Sequence, residues 1–533
     1  MIMKKNKLFL IAFALIGMFI SCDDAINIKQ PGEVNNPDDV YKTIDDLQRG
    51  LNGVYAVFST ESTISFTSIF TDESAIGINN GGQGLNDGLY TFQLTAGSDY
   101  ATSIWQANYS LINFANRIID AGAKIAPTTD INDPNYDEEA LTNYGYIMGQ
   151  LYAIRAFAHF QLLSYFSTDL KDDSKLGVII LDFVPDENYD TYLPRSTNAE
   201  CFKFIEEDLA KAEATIAPDY AATLVTPDFI TALRARMAAY RGNYPDALKY
   251  ANQLLVPASL YPLSSNATAY NGIWDESSVS EVIFKLARVN GDSEIGATWN
   301  NASSSKSGSP YFEVNRGLFN LYDLNDYRRG ISTQEAAALL KADPKSKFVA
   351  TNGLIDITST ISANPDTDPL YVQNDVLVIN KYPGNTAQND LLLNDIKVFR
   401  IAEMYLIKAE AFAAAGSLNG TTNSVASVLK ALRDKRYNSG TAPVISNFAS
   451  AEEAWAAILQ ERRKELAFEG HRYIDIKRLG VLAGGKGIER YSRDCEKYSA
   501  CTLDPTDHRF TMPIPTTELT ANPNIRSQQN PGY

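Results

Sequence analysis

Apolar residues recur at helical spacing along much of the chain. In DVYKTIDDLQRGLNGVYAVF, Val40, Ile44, Leu47, Leu51 and Val54/Tyr55 fall on one face, the pattern of an amphipathic helix. SIWQANYSLINFANRIIDA repeats it with Ile104, Tyr109, Ile112 and Ile119. EEALTNYGYIMGQLYAIRAFAHFQLLSYF is apolar over much of its surface, which predicts a central helix. RSTNAECFKFIEEDLAKAEATI opens on a start signal, Ser196 or Thr197 as cap with Glu200 three residues beyond Thr197.

Two stretches carry a more specific pattern. ALRARMAAYRGNYPDALKYANQLL reads as helix, tight turn at Gly242-Asn243, helix. Ala235, Ala238, Ala247 and Ala251 let the two helices approach closely, and Tyr240, Tyr244 and Tyr250 fill the gaps. The stretch resembles one tetratricopeptide repeat, with a period of about 34 residues. RIAEMYLIKAEAFAAAGSLNGTTNSVASVLKALRDKRY resembles another. Pairing the earlier helices in the same way gives about four pairs. An ordinary helix bundle uses the same apolar spacing; the small residues and the glycine turn favour the repeat. The expected fold is mainly α: tetratricopeptide-like helix pairs forming a superhelical scaffold, with long irregular loops and a few short strands.

The remaining sequence differs in character. Residues 60–100 contain GINNGGQGLNDG and show no helical period. Residues 256–395 are rich in Ser, Asn, Gly, Pro and Tyr, with short strand-like stretches in SEVIFKLARV and NDVLVINKY. Long loops on a rigid scaffold are where binding residues concentrate.

Composition and charge narrow the function. The chain has 533 residues and a net charge of −17, which argues against a nucleic acid partner. Lys4, Lys5 and Lys7 precede the apolar run Leu8–Ile20, which is shorter than the roughly 20 residues needed to span a bilayer. A charged start and a short apolar core describe a secretory signal, and no later apolar run approaches spanning length. Cys201 sits in a helical pattern and is expected to be buried and inert. Cys495 and Cys501, in RDCEKYSACTLDP, are either a small disulfide loop or two free thiols, and export favours the disulfide.

The three histidines, His159, His471 and His508, stand apart, and none has metal-ligand spacing with Cys or carboxylates. There is no nucleophile elbow, phosphate loop or dinucleotide fingerprint. No catalytic residue, metal or cofactor is expected. The spacing of paired carboxylates for glycoside hydrolysis is set in space, so that possibility stays open at this point.

Several stretches together resemble the SusD/RagB family of outer-membrane nutrient-binding lipoproteins: IRAFAHFQLLSYF, LPRSTNAECFKFIEEDL, VFRIAEMYLIKAEA, ERRKELAFEGHRYIDIKRLG and the ending MPIPTTELTANPNIRSQQNPGY. FISC resembles a lipobox with Cys22 as the acylated first mature residue, and the resemblance implies that Asp23 and Asp24 mark surface export in the Bacteroidetes. Within ERRKELAFEGHRYIDIKR, Leu466 and Phe468 read as core and Gly470 as a helix stop. Glu461, Arg462, Glu465, Glu469, Arg472 and Asp475 read as an ion-pair network joining helix to loop, the alternative being a catalytic role for Glu469 and His471.

The resemblance implies binding without cleavage. A sugar ring asks for a flat aromatic face and planar hydrogen-bonding groups. Trp105 and Trp455 sit at helical positions and read as core, and Trp274 as structural. Trp299, in ATWNNASSSKSGSPYFEVNRG, is the candidate platform, with Asn300, Tyr311 and Phe312 around it; the alternative is a loop anchor packed on the scaffold. Asp72, Asn79, Asn80 and Asn86 form a second candidate set that can bond hydroxyls.

The expected organisation is a signal at 1–21, a lipidated linker at 22–39 and one body at 40–533. Within the body, the scaffold spans 40–255 and 396–480, the ligand-binding loops 60–100 and 256–395, and a proline-rich wrap 481–533. The expected function is capture of an oligosaccharide at the cell surface, on the outer membrane, and delivery to a SusC-like TonB-dependent barrel. Alternatives are RagB-like peptide capture, a helical-repeat assembly scaffold and a secreted glycosidase.

Overall fold

The computed structural model describes residues 40–80, 88–185, 192–216, 221–300, 310–323, 325–329, 353–355, 359–388, 390–438 and 440–533. The signal, the linker with Cys22, and Asn86 lie outside the described residues.

The architecture is mainly α. Helix α1 (Ile44–Val57) opens on a capping box in which Thr43 and Asp46 bond each other's amides, closing two of the donors a helix start leaves open. Val40, expected on its apolar face, lies before the helix and stays exposed. Helix α2 (Glu61–Phe70) falls where no helix is expected. Seven of its ten residues are buried, so it has no polar stripe for a helical period to reveal. Then come α3 (Asp99–Lys124), the central α4 (Glu138–Phe166), α5 (Asn198–Glu213) with its Thr197–Glu200 capping box, α6 (Pro227–Tyr240) and α7 (Tyr244–Leu254). Gly242 makes the α6–α7 turn at φ +72°, a conformation glycine adopts without strain. The four alanines between these two helices are all buried.

Packing follows the pairs. Helix α1 lies on α3, α4 on α5 and α6 on α7, and further along α8 (Ile401–Ala414) lies on α9 (Val425–Arg433). Consecutive pairs lean on one another through α3–α4 and α7–α8, and α10 (Ala451–Glu465) closes the row against α8. Helix α11 (Arg472–Leu479) follows the left-handed Phe468 and Gly470, which stop α10.

The described strands are short and form two-stranded sheets. Strand β1 (Ser74–Ile76) pairs antiparallel with β3 (Phe312–Val314), and β2 (Val282–Leu286) with β4 (Ile396–Arg400), which runs directly into α8. NDVLVINKY makes only isolated bridges, Thr360 to Val376, Glu313 to Val378 and Ile355 to Ile379. Cys495 and Cys501 are joined by a disulfide with Cα atoms 5.0 Å apart, and Cys201 is buried and free.

The ion-pair network lies inside the protein and reaches further than helix to loop. Glu465 accepts from Arg328 Nη1 (3.0 Å), Arg400 Nη1 (3.1 Å), and Arg436 Nε and Nη2 (2.9 Å each). Arg436 and Arg400 also hold Glu281, Arg328 holds Asp326 and Glu461, and Arg400 holds Glu469. Arg472 reaches Asp72, while Arg462 pairs with Asp475. Burial pushes the Glu465 carboxyl up, but the guanidiniums of Arg436 and Arg400 outweigh it and hold it well below the usual range. Glu469 is gripped by Arg400 and Lys381, and burial lowers His471 to about 4. A carboxylate locked in ion pairs beside a neutral, buried imidazole makes a structural node, so the catalytic alternative for these two residues is not supported.

Asp72 and Glu73, directly after α2, are both fully buried. Burial pushes Asp72 up, yet Arg463 and Arg472 hold it at about 2. Glu73 accepts from the Phe468 amide at 3.1 Å, and burial pushes it up to about 8. Its folded value lies above its ordinary 4.5, so its stabilisation is complete below that pH and is lost as pH rises through the folded value. Relative to Glu73→Gln, the wild-type protein is expected to lose about 1.4 kcal/mol per pH unit across that interval. Urea unfolding of both proteins at a series of pH values checks this; parallel profiles would mean that Glu73 is ionised throughout.

Candidate ligand-binding face

The β1–β3 ladder brings the two loop regions together. Ser74 faces Val314, Ala75 faces Glu313 and Ile76 faces Phe312. Beyond the ladder, the Gly77 amide donates to Tyr311 O (2.8 Å) and the Asn79 amide to Pro310 O (3.1 Å). A Cβ on Gly77 would run into the Pro310 carbonyl, so the close crossing requires glycine there. Glu313 staples both sides, accepting from the Ile78 amide (2.7 Å) and the Leu377 amide (3.2 Å).

A trough of about 390 Å³ is lined by Ser362, Asn364, Thr367, Asp368, Leu370 and Asn374 among others, and Arg316, just past β3, donates to Ser362 O (3.3 Å). Arg493 holds its loop by donating to Asp366 O (3.0 Å) and Asp368 O (2.8 Å), and the Tyr491 hydroxyl bonds Asp366. The half-buried Tyr491 ring stands 6.0 Å from that of Tyr371. Asp494 ties two segments to its own, accepting from Tyr371 OH (2.6 Å), Asn315 Nδ2 (3.0 Å) and the Arg316 amide (2.9 Å). Burial pushes Asp494 up to about 6. The adjoining disulfide confines residues 495–501 of the same strap.

The sequence-predicted residues divide. Asn79 is exposed and Tyr311 half-buried at the rim of the crossing, so both remain available. Trp299 does not form a platform. It is 1 % exposed, stacks on Tyr382 with centroids 5.8 Å apart, meets Phe468 edge-on and donates Nε1–H to Ser68 Oγ at 2.9 Å. Its polar sequence neighbours conceal a core partner set drawn from distant segments, and the loop-anchor alternative describes it. Asn300 and Phe312 are likewise buried, the latter within β3. Asn80 is buried and donates Nδ2–H to Tyr311 O (2.8 Å). Asp72 is committed to Arg463 and Arg472, so no oxygen is left for a sugar hydroxyl. Tyr491, Arg493 and the trough residues 362–374 are not among the residues expected from sequence. The turn-rich SANPDTDPL is a usable signal for the trough, but nothing local ties it to Tyr491, more than a hundred residues away.

Among the described residues no group of His, Cys, Asp and Glu is arranged to hold a metal ion. The face offers half-buried tyrosine edges, amides and carboxylates around a shallow trough, chemistry suited to recognition of a polar ligand with apolar ring faces.

Comparisons with known proteins agree on the fold and family. Residues 295–533 match the family model described as the SusD family, and residues 26–240 match one described as starch-binding, associating with the outer membrane. SusD-like protein P2 of Formosa agariphila is 25 % identical over 569 residues, covering 100 % of both chains. A SusD superfamily protein from Bacteroides thetaiotaomicron superimposes with a TM-score of 0.70 at 22 % identity, covering 92 % of this chain and 100 % of that one. A laminarin-binding SusD-like protein superimposes with a TM-score of 0.62 at 20 % identity, again over 92 % and 100 %. With tetratricopeptide-like helix pairs, the ordered signature stretches and family matches in both halves, the chain belongs to the SusD/RagB family.

Proposed function

We propose that the protein captures an oligosaccharide or polysaccharide at the outer surface of an outer membrane and passes it to a SusC-like TonB-dependent barrel. Acylation at Cys22 supplies the anchor; a stable anchor needs more than one acyl chain. The ligand is held and released, with no bond made or broken. The observation that carries this reading is the β1–β3 crossing, which joins the loops of 60–100 to those of 256–395 in one face with an adjacent trough. Support comes also from the relatives, one of which is named for binding laminarin. Peptide addition to β3 finds no open edge, because Val314 N already donates to Leu377 O (2.8 Å) and Glu313 bridges Val378. Transient capture suits a micromolar dissociation constant, about −8 kcal/mol.

The test is isothermal titration of the protein, without its signal, against laminarin oligosaccharides and a panel of plant, host and microbial polysaccharides. Tyr491→Ala is expected to weaken binding of the ligand found by about tenfold or more, with far-UV circular dichroism unchanged. Unchanged affinity would remove Tyr491 and the trough from the site. Hydrolysis of the ligand by the purified protein would reject the binding-only mechanism.

A further inference from the structure

A larger concavity, about 560 Å³, shares no lining residue with the trough and lies between α10, residues 444–448 and residues 486–489, within the size range of small-molecule sites. One face of α10 forms its wall: Glu453, Ala456, Ala457, Gln460 and Arg463 recur at helical spacing. The two alanines leave a slot, and Val444, Ile445 and Phe448 stand across it. Val444 is 92 % exposed. Ser446, Asn447 and Gln460 are exposed and make no side-chain hydrogen bond to another described residue.

The floor is basic. Arg463 and Arg472 share the single carboxylate of Asp72, with Arg463 Nη2 at 3.3 Å and Arg472 Nε at 2.8 Å. Arg472 is 6 % exposed, and both its Nη1 and the Nε of Arg463 have no hydrogen-bond partner among the described residues. Around the cleft Arg433, Arg463, Arg472 and Lys486 face Asp72, Glu453 and Glu489, and the two floor guanidiniums, sharing one carboxylate, keep buried donors without acceptors, which are costly. Guanidinium is the side-chain group best matched to a second carboxylate.

We propose that this cleft is a separate binding site for a carboxylate-bearing sugar, a hexuronate unit of a glycan. The ring's C–H face lies along Ala456, Ala457 and Phe448, its hydroxyls meet Asn447 and Gln460, and its carboxylate pairs with Arg463 at the floor. The inference takes its ligand class from the glycan-capture reading, but it uses different residues and a different ligand.

The test titrates the protein with di- and trisaccharides of glucuronate or galacturonate, with neutral glucose oligomers and with a short acidic peptide. Ala457→Phe narrows the slot at a residue that itself takes part in no ion pair. Arg463→Gln keeps donors and removes the charge. The expected result is uronate binding that falls at least tenfold in each variant, with neutral-oligomer binding to the loop face unchanged. No uronate binding at millimolar concentration, uronate binding unaffected by Ala457→Phe or by Arg463→Gln, or tighter binding of the acidic peptide would each overturn the proposal. Loss of neutral-oligomer binding in Tyr491→Ala reports on the loop face alone, so the two readings fail separately.

Discussion

Glu465→Gln is expected to destabilise the protein by about 3–5 kcal/mol, the cost of removing one partner from a buried ion pair. The carboxylate is fully buried and shared by Arg328, Arg400 and Arg436, which are themselves almost fully buried. Glutamine is isosteric, so packing is kept; what is lost is the charge that compensates three guanidiniums. Glu281, Glu469, Glu461 and Asp326 remain, but each is already engaged by one or more of these arginines. The network is then left with one negative charge fewer in a desolvated interior, where an uncompensated charge is costly. A shift in the urea midpoint at unchanged slope measures the effect, and a loss below about 1 kcal/mol would mean that the remaining acids absorb the charge.

Trp299→Ala is expected to cost about 3–5 kcal/mol as well, through a different mechanism. Removing the indole empties a site between Tyr382, Phe468 and Ser68 and leaves Ser68 without the Nε1–H donor. Trp299→Phe keeps the ring contacts, loses the N–H and should cost less than half as much. A binding platform behaves differently: the alanine variant would fold normally and fail to bind. Thermal unfolding beside ligand titration separates these outcomes, and an unchanged melting temperature with lost binding would restore the platform.

The scaffold was legible because its information is local. Thr197 with Glu200 and the Gly242 turn each act within a few residues, and the apolar stripes of α1 and α3 repeat along a single helix. Helix α2 was not legible, because burial on all sides erases the contrast on which periodicity depends. The candidate site fared worse for a related reason. Trp299 lies among Asn and Ser in sequence, but its environment comes from Ser68, Tyr382 and Phe468. Asp72 looks like a free acceptor until Arg463 and Arg472 arrive from the other end of the chain. The charged signature around residues 461–475 was recognisable as a network, but its counterions at 281, 326–328, 400 and 436 were not. The cleft beside α10 was hidden in what read as scaffold, since an Ala-Ala step on a helix shows small volume and not what faces it.

The position of Glu465 also bears on when the molecule can become itself. Synthesis runs from the amino end, so Arg328, Arg400 and Arg436 emerge well before the anion that allows all three to be interred together. Until that late segment arrives, the three arginines lack the one carboxylate that they all share. For a polypeptide threaded through a translocon in extended form, as the proposed export requires, the final locking around Glu465 is expected on the far side.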